Sequence, residues 1–198
     1  PNKVRFVPTT AQNRFTALQS GEVDVLSRNT TWTLSRDTSL GFDFTGTNFF
    51  DGQGFMVKAS AGVKTAKELD GATIHVILPD VISKEPLSPL VRQGDPRFAD
   101  VIKWVHYMLL SAEEFGITQA NVQQMAQTDA RPEVQRMLGR GGDLGRMLGL
   151  DNAWGVNVSR ALRNYGEIFD RNLKPIGLQR GPNALWTAGG LQYSPPFR

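Results

Sequence analysis

The spacing of hydrophobic residues changes along the first thirty positions. In KVRFVP, Val4 and Phe6 alternate with polar neighbours, which predicts a half-buried strand. Phe15 and Leu18 then lie three residues apart, as on one face of a helix, and Gly21 ends the predicted helix. The run VDVL predicts the next strand. A strand, a helix and a strand in this order indicate a β-α-β unit and therefore a parallel sheet.

Further elements follow the same reasoning. GQGFMVKA and ATIHVIL predict strands, and TAKELDG between them predicts a short helix. The clearest helix spans residues 96–115, with Asp95 as its cap and Pro96 at its first position. A second long helix is predicted over residues 152–170, because apolar side chains keep one face. The apolar stripes of the two helices are Phe98, Val101, Ile102, Val105, Leu109, Ala112 and Phe115, and then Trp154, Val158, Leu162, Tyr165 and Phe169.

Composition excludes several classes of function. The 198 residues are 40% hydrophobic and 21% charged, as in ordinary globular domains, and no apolar run approaches the ~20 residues of a membrane span. Cysteine is absent, and His75 and His106 have no clustered carboxylates around them, so we expect no metal and no cofactor. The net charge of +3 comes from scattered basic residues, which argues against nucleic-acid binding.

The stretch LSRNTTWTLSRDTSLGFDFTG, residues 26–46, carries the candidate chemistry. It places arginines, an asparagine and several threonines directly after the predicted strand VDVL, and such a mixture is not a packed core. Ligands of open α/β sheets bind beyond the carboxyl ends of the parallel strands. The loop is therefore predicted to hold a small, negatively charged group.

Longer motifs resemble a known family. NRFTALQSGEVDVLSRNTTWTLSR, DGQGFMV, AEEFGITQANV, NYGEIFDRN and ALWTAGGLQYSPP are together similar to the periplasmic solute-binding proteins of general L-amino-acid ABC transporters. The resemblance implies an α/β, periplasmic-binding-protein-like fold with a mainly parallel sheet flanked by helices. It also implies a periplasmic location reached by a signal peptide that this chain does not contain, an L-amino acid as ligand, and a membrane permease as partner.

The resemblance assigns roles within residues 28–36. Asn29 would offer its backbone carbonyl to the ammonium of the ligand, and Thr31 its hydroxyl and amide. Arg36 would clamp the α-carboxylate, for which a planar guanidinium is a suitable partner. Thr30 and Arg28 complete the candidate set. Alternatives from the residues themselves remain open: Arg36 could form a surface ion pair with Asp37 or Asp43, and Trp32 could be a core or lid residue.

The chain also departs from the family pattern. Proteins of the family consist of two α/β lobes joined by two hinge strands, with the amino acid held between them. The strand, ligand-lining loop and helix that precede NKVRFVP in the family are absent, and most of the second lobe is missing at Ile74-His75-Val76. We expect residues 1–59 to form the first part of lobe one and residues 60–84 the hinge and a remnant of lobe two. Residues 85–198 would form the second part of lobe one, with a C-terminal helical extension. Either the protein is truly shortened, or the sequence is an incomplete record of a longer, cleaved or partly unread chain.

Two other functions compete with amino-acid binding. A one-lobed structural or interaction protein would have no small-ligand transport function. A small lyase or dehydratase would need a general acid or base beside Arg36, where only Asp24 and Glu22 come near in sequence. If the chain is truly short, an uncovered sheet edge and apolar face predict a homo-oligomer and weak binding of amino acids.

Overall fold

The computed structural model describes residues 3–57, 60, 62–69 and 81–198. Its strands form two small antiparallel sheets. One sheet has the order β1, β5, β2 and the other pairs β3 with β4. The strands are β1 (Val25–Leu26), β2 (Phe42–Phe44), β3 (Phe49–Asp51), β4 (Glu85–Leu87) and β5 (Leu90–Arg92).

Helices fill most of the chain after the sheets. Among the described residues, short 3-10 turns also occur at Ala66–Glu68, Lys174–Ile176, Gly181–Asn183 and Trp186–Ala188. The helices are α1 (Arg14–Gln19), α2 (Leu34–Ser39), α3 (Pro96–Glu114), α4 (Val122–Thr128), α5 (Pro132–Met137), α6 (Leu144–Met147), α7 (Trp154–Leu162) and α8 (Tyr165–Asn172).

The predicted parallel pairing is wrong for the described strands. Strand β5 lies between β1 and β2 and runs antiparallel to both, with Val91 opposite Val25 on one side and Asp43 on the other. Consequently β1 and β2 point the same way without pairing. Residues 3–8, predicted as the first strand, are not in a strand, and Val4 and Phe6 are 64% and 90% exposed. Alternation indicates which face of a strand would be buried, but it does not supply the partner that the strand needs.

The later sequence predictions have mixed outcomes. Strand β3 precedes the predicted strand GQGFMVKA, whose described residues 52–57 contain only a bridge at Met56. The 3-10 turn at Ala66–Glu68 lies within the predicted helix TAKELDG, whereas ATIHVIL lies outside the described residues. Helix α1 is confirmed and ends before Gly21, whose φ of +82° favours glycine.

The long helix after residue 95 is confirmed. Asp95 caps α3 by accepting a hydrogen bond from the N–H of Phe98 at 2.9 Å, and Pro96 is its first residue. The predicted helix over residues 152–170 is instead two helices. Arg163 has φ of +79° and ends α7, while Asn164 and Glu167 form a capping box that starts α8. The polar caps of Asn164 outweigh continuation of the helix.

Two principal hydrophobic clusters hold these elements. The sheet cluster packs α1 against the strands, and the helical cluster packs α3 against α4, α5 and α7. The sheet cluster contains Leu18, Leu26, Phe42, Phe44 and Leu90. The helical cluster contains Met108, Ala112, Ile117, Val122, Val134, Met137, Leu138, Trp154, Val156 and Phe197.

Candidate functional site

The loop between β1 and α2 is fixed to the chain around β4. The carbonyl of Thr30 accepts from the N–H of Ser88 at 3.0 Å, and the N–H of Trp32 donates to the carbonyl of Pro86 at 2.9 Å. These bonds join residues more than fifty positions apart. The loop predicted to bind the ligand is therefore held in one conformation by the returning strand.

Arg36 extends from the first turn of α2 toward this loop. Its backbone N–H donates to the hydroxyl of Thr33, the N-cap of the helix, at 3.4 Å. Its Nη1 donates to the carbonyl of Thr31 at 2.8 Å, and its guanidinium carbon lies 5.7 Å from the centre of the Phe15 ring. Within the described ranges Arg36 makes no ion pair, with Asp37, Asp43 or any other carboxylate. The remaining guanidinium N–H groups can thus face a ligand.

Glu85 on β4 completes the site and was not predicted. The hydroxyl of Thr31 donates a hydrogen bond to Oε2 of Glu85, and the hydroxyl of Ser83 donates to Oε1 at 2.7 Å. The bond from Thr31, then that from Ser83, and the positive charge of Arg36 hold the pKa of Glu85 below its usual range. Glu85 is therefore an anion at neutral pH.

Two further arginines surround Asn29. Nη1 of Arg14 donates to the carbonyl of Asn29 at 3.2 Å, and Nε of Arg28 donates to its side-chain oxygen at the same distance. Arg28 also donates to the carbonyl of Thr9. Burial lowers the pKa of Arg14, as do the charges of Arg36 and Arg28. The site is therefore strongly electropositive, and one lone pair of the Asn29 carbonyl is already used.

Thr30 and Trp32 lie at the base of the loop. Thr30 is fully buried, and its hydroxyl has no hydrogen-bond partner among the described residues. In this conformation its side chain does not reach a ligand in solvent. Trp32 stacks on Phe44 with ring centres 5.2 Å apart and planes at 6°. Trp32 therefore packs on the sheet, while 39% of the residue remains exposed.

Sequence reasoning found Arg36 and Thr31 because they belong to one local motif. It missed Glu85, which lies 54 residues beyond Thr31 and reaches it because the chain around β4 returns to bond with the loop. It also missed Arg14, for which a basic residue on the helix just before the motif was the available signal. No local pattern could have indicated the contact of Glu85.

The candidate acid and base near Arg36 are placed elsewhere. Asp24 forms an ion pair with Arg92 at 2.9 Å, and Glu22 is exposed. Across the part of the chain that the structure describes, no three His, Asp or Glu side chains are grouped so as to hold a metal ion.

A cavity of about 460 Å³ lies between the strands, α3 and α8. Ile102, Val105 and Leu109, which belong to the predicted apolar stripe of α3, form part of its wall. Burial lowers the pKa of His106 in this wall to about 4, although a backbone hydrogen bond with Thr47 acts in the opposite direction. Burial also raises the pKa of Tyr165 to about 12, and its hydroxyl donates to the carbonyl of Asn48 at 2.8 Å. The two residues are thus neutral at physiological pH.

Comparison with known proteins decides the family. The profile of the bacterial extracellular solute-binding proteins, family 3, matches residues 2–136, more than half of the chain. The chain belongs to this family. In the described part of this solute-binding protein, no helix is long and apolar enough to cross a membrane.

Individual relatives support the same assignment. The glutamate/glutamine/aspartate/asparagine-binding protein BztA of Rhodobacter capsulatus is 43% identical over 266 residues, which cover 100% of this solute-binding protein and 79% of BztA. The general L-amino acid-binding periplasmic protein AapJ of Rhizobium johnstonii is 42% identical over 268 residues, covering 100% and 78% of the two chains.

A solved structure confirms the fold expectation. The ABC transporter/periplasmic binding protein from Brucella ovis with glutathione bound superposes on 99% of this solute-binding protein with a TM-score of 0.91 and 41% identity. The superposition covers 83% of that chain. The predicted periplasmic-binding-protein-like fold is therefore confirmed, although the described strands pair antiparallel.

The alignment with BztA also bears on the predicted internal shortening. It extends over 266 positions, which is 68 more than the 198 residues of this solute-binding protein. Positions of BztA therefore lie opposite gaps within this sequence.

Proposed function

We propose that this protein binds an L-amino acid as the periplasmic solute-binding component of an ABC uptake system, and delivers it to a membrane permease. The choice of an amino acid as the solute rests on the relatives BztA and AapJ, whose names state that they bind amino acids. The observation that carries the proposal is the Arg36 guanidinium, which makes no ion pair within the described ranges and lies beside a polar loop. Family membership favours this function over a one-lobed interaction protein.

The geometry suits an α-carboxylate at Arg36. A guanidinium presents parallel N–H groups that match the two oxygens of a carboxylate. The carbonyl of Thr31 accepts a hydrogen bond from one of the guanidinium N–H groups of Arg36. The backbone N–H of Thr31 donates to no group of residues 3–57 or 81–198. That N–H can donate to the same carboxylate. Arg28 is held by hydrogen bonds to Thr9 and Asn29, and it adds positive charge to the site without contacting the ligand.

The course of the chain around residues 52–84 supports a hinge. Strands β3 and β4 run side by side, with Asp51 opposite Glu85, so the chain leaves and returns at one place. Beyond the strands, the N–H of Ile82 donates to the carbonyl of Gln53 at 2.9 Å. We therefore retain the proposed division at residues 60–84 as hinge and remnant of a second lobe, of which 61 and 70–80 lie outside the described residues.

The proposed function predicts weak binding by a chain of this length. With most of the second lobe missing, Arg36 and Thr31 remain open to water. An exposed ion pair contributes ~0–1 kcal/mol, whereas micromolar affinity requires about 8 kcal/mol. We expect dissociation constants near millimolar or weaker.

These constants are measured by ligand-observed NMR, in which the chain is titrated with a panel of L-amino acids. The mass of the chain is first verified as 21.9 kDa. D-amino acids serve as the control, since a site that contacts both α-groups and the side chain distinguishes the two forms. Micromolar binding would contradict the exposed site, and absence of binding to every L-amino acid would contradict the proposed function.

We infer that the site binds its solute without transforming it. Asp24, the nearer of the candidate bases in sequence, is already paired with Arg92, and the carboxylate of Glu85 already accepts hydrogen bonds from Thr31 and Ser83. Mass spectrometry of each amino acid after prolonged incubation with the protein tests this inference. Recovery of the unchanged solute is expected, whereas deamination or dehydration would contradict it.

A further inference from the structure

The hydrogen bond between Thr31 and Glu85 determines what Thr31 can offer to a ligand. A hydroxyl has a single proton to donate. In Thr31 that proton is directed to Oε2 of Glu85, so the Thr31 oxygen presents lone pairs to any third group. Glu85, an acceptor on both oxygens, likewise has lone pairs beyond those used by Thr31 and Ser83. The pair Thr31–Glu85 is therefore an acceptor site, which suits a donor such as an ammonium group.

The acceptor site lies next to the donor site of Arg36. Thr31 contacts both, because its carbonyl accepts from Nη1 of Arg36 at 2.8 Å and its hydroxyl donates to Glu85. The two charged groups of a zwitterionic amino acid are attached to one carbon atom and need partners of opposite sign at such short range. A carboxylate and a guanidinium on either side of Thr31 provide that arrangement.

The positive charges around the loop mean that an ammonium group can bind there only beside an anion. Arg14, Arg28 and Arg36 lie close enough that the charges of Arg36 and Arg28 lower the pKa of Arg14. An ammonium group brought to this loop would be repelled by all three guanidinium groups. Glu85 offsets that repulsion locally. The carbonyl of Asn29, in contrast, already accepts from the cation of Arg14 at 3.2 Å, which opposes a second cation there.

We propose that Glu85, with the hydroxyl oxygen of Thr31, binds the α-ammonium group of the solute while Arg36 binds its α-carboxylate. This inference rests on the proposed function. It assigns the ammonium to strand β4, at the start of the second part of lobe one, and therefore to the lobe that the chain retains. The consequence is selectivity for α-amino acids over carboxylic acids of the same shape, even when the second lobe contributes nothing.

The test compares two ligands that differ in one group. L-glutamine has no net charge on its side chain, and its analogue without the α-amino group, 5-amino-5-oxopentanoic acid, keeps the carboxylate and the side-chain amide. Both are titrated by ligand-observed NMR against the wild-type chain, Glu85→Gln and the control Glu22→Gln, whose carboxylate is exposed and forms no ion pair within the described ranges. Thermal unfolding of each variant checks that it is folded.

We expect Glu85→Gln to weaken L-glutamine binding about tenfold and to leave the analogue unchanged or bound more tightly, because the repulsion between two carboxylates is removed. Thr31→Val should also weaken L-glutamine, since it removes the acceptor oxygen. Glu22→Gln should match the wild type. If the wild type binds L-amino acids and folded Glu85→Gln retains full affinity, or loses both ligands equally, the assignment of Glu85 is wrong while the proposed function stands. If the wild type binds no L-amino acid, both are wrong.

Discussion

Arg36 is the residue on which the candidate site depends. Its guanidinium is oriented by the carbonyl of Thr31 and by the ring of Phe15, and within the described ranges it has no carboxylate partner. A cation held in place without a directly paired carboxylate attracts an anion, which here is the α-carboxylate of the proposed solute. The Thr31 carbonyl and the Phe15 ring orient the guanidinium but carry no charge that would neutralise it.

Replacing Arg36 tests this dependence. We expect Arg36→Ala to abolish measurable binding of L-amino acids, because the carboxylate loses its cationic partner, and Arg36→Lys to retain only part of it, because an ammonium lacks the planar pair of donors. NMR titration measures the affinities. Arg160→Ala on the exposed face of α7 is the control and should bind as the wild type does. Equal binding by Arg36→Ala and the control would contradict the assigned role.

His106 links burial to pH. In the folded protein burial lowers its pKa to about 4, whereas an unfolded histidine titrates near 6.5. As the pH falls from about 6.5 to about 4, the unfolded chain takes up a proton that folded His106 does not. The free energy of unfolding must therefore fall across this range, by on the order of 1–3 kcal/mol for this residue.

Urea denaturation at pH 7, 5 and 4 measures this effect in the wild type and in His106→Gln. The variant should lose less stability on acidification, since glutamine does not titrate. The pH dependence of the variant is subtracted from that of the wild type, because other groups also contribute. Hydrogen bonds lower the pKa values of Glu85 and Asp129, so protonation of these carboxylates at low pH also reduces the stability of the protein. Identical pH dependence in both proteins would show that His106 titrates normally.

At the scale of elements, the junction between α7 and α8 shows how a local motif overrides a longer pattern. The apolar spacing of Trp154, Val158 and Leu162 continues into Tyr165 and Phe169, which predicted one helix. Asn164 breaks it by accepting from the N–H of Glu167 at 2.8 Å, while the Glu167 carboxylate accepts from the N–H of Asn164 at 3.0 Å. The spacing survives because both helices pack against α3.

The capping box gives a prediction of stability. Asn164 is buried, and Nδ2 also donates to the carbonyl of Ile117 at 2.8 Å. We expect Asn164→Ala to lower the free energy of unfolding by about 1–3 kcal/mol, since the cap and a buried hydrogen bond are lost together. Asn157→Ala, at an exposed position of α7, should change it by only about 0.5 kcal/mol. Chemical denaturation compares them, and similar values for both variants would contradict the capping role.

At the scale of the whole molecule, an uncovered surface remains on one side of the sheet. Among the described residues β1 pairs with β5 alone, so its other edge has no strand partner. A cavity of about 460 Å³ is lined by Val25 of β1 and by Ile102, Val105 and Leu109 of α3. Unpaired edges and apolar concavities favour association.

Association is therefore predicted for the 198-residue chain. Light scattering should give a mass of at least twice 21.9 kDa. Val25→Lys should shift the protein toward the monomer, because a charge on an edge strand opposes pairing. Leu162→Lys, at a position of α7 that is 45% exposed, is the control and should leave the mass unchanged. A monodisperse wild-type monomer would contradict the prediction.

The sequence by itself determined the local elements and the local motif. Helix α3 with its cap, α1 with its glycine stop, and the loop with Thr31 and Arg36 are properties of neighbouring residues, whose propensities and hydrogen bonds act over a few positions. Only the tertiary structure decided which strands pair, because pairing depends on partners that alternation does not name. The tertiary structure alone also brought Glu85 to Thr31, since β4 returns 34 residues after its partner β3 and carries the carboxylate into the site.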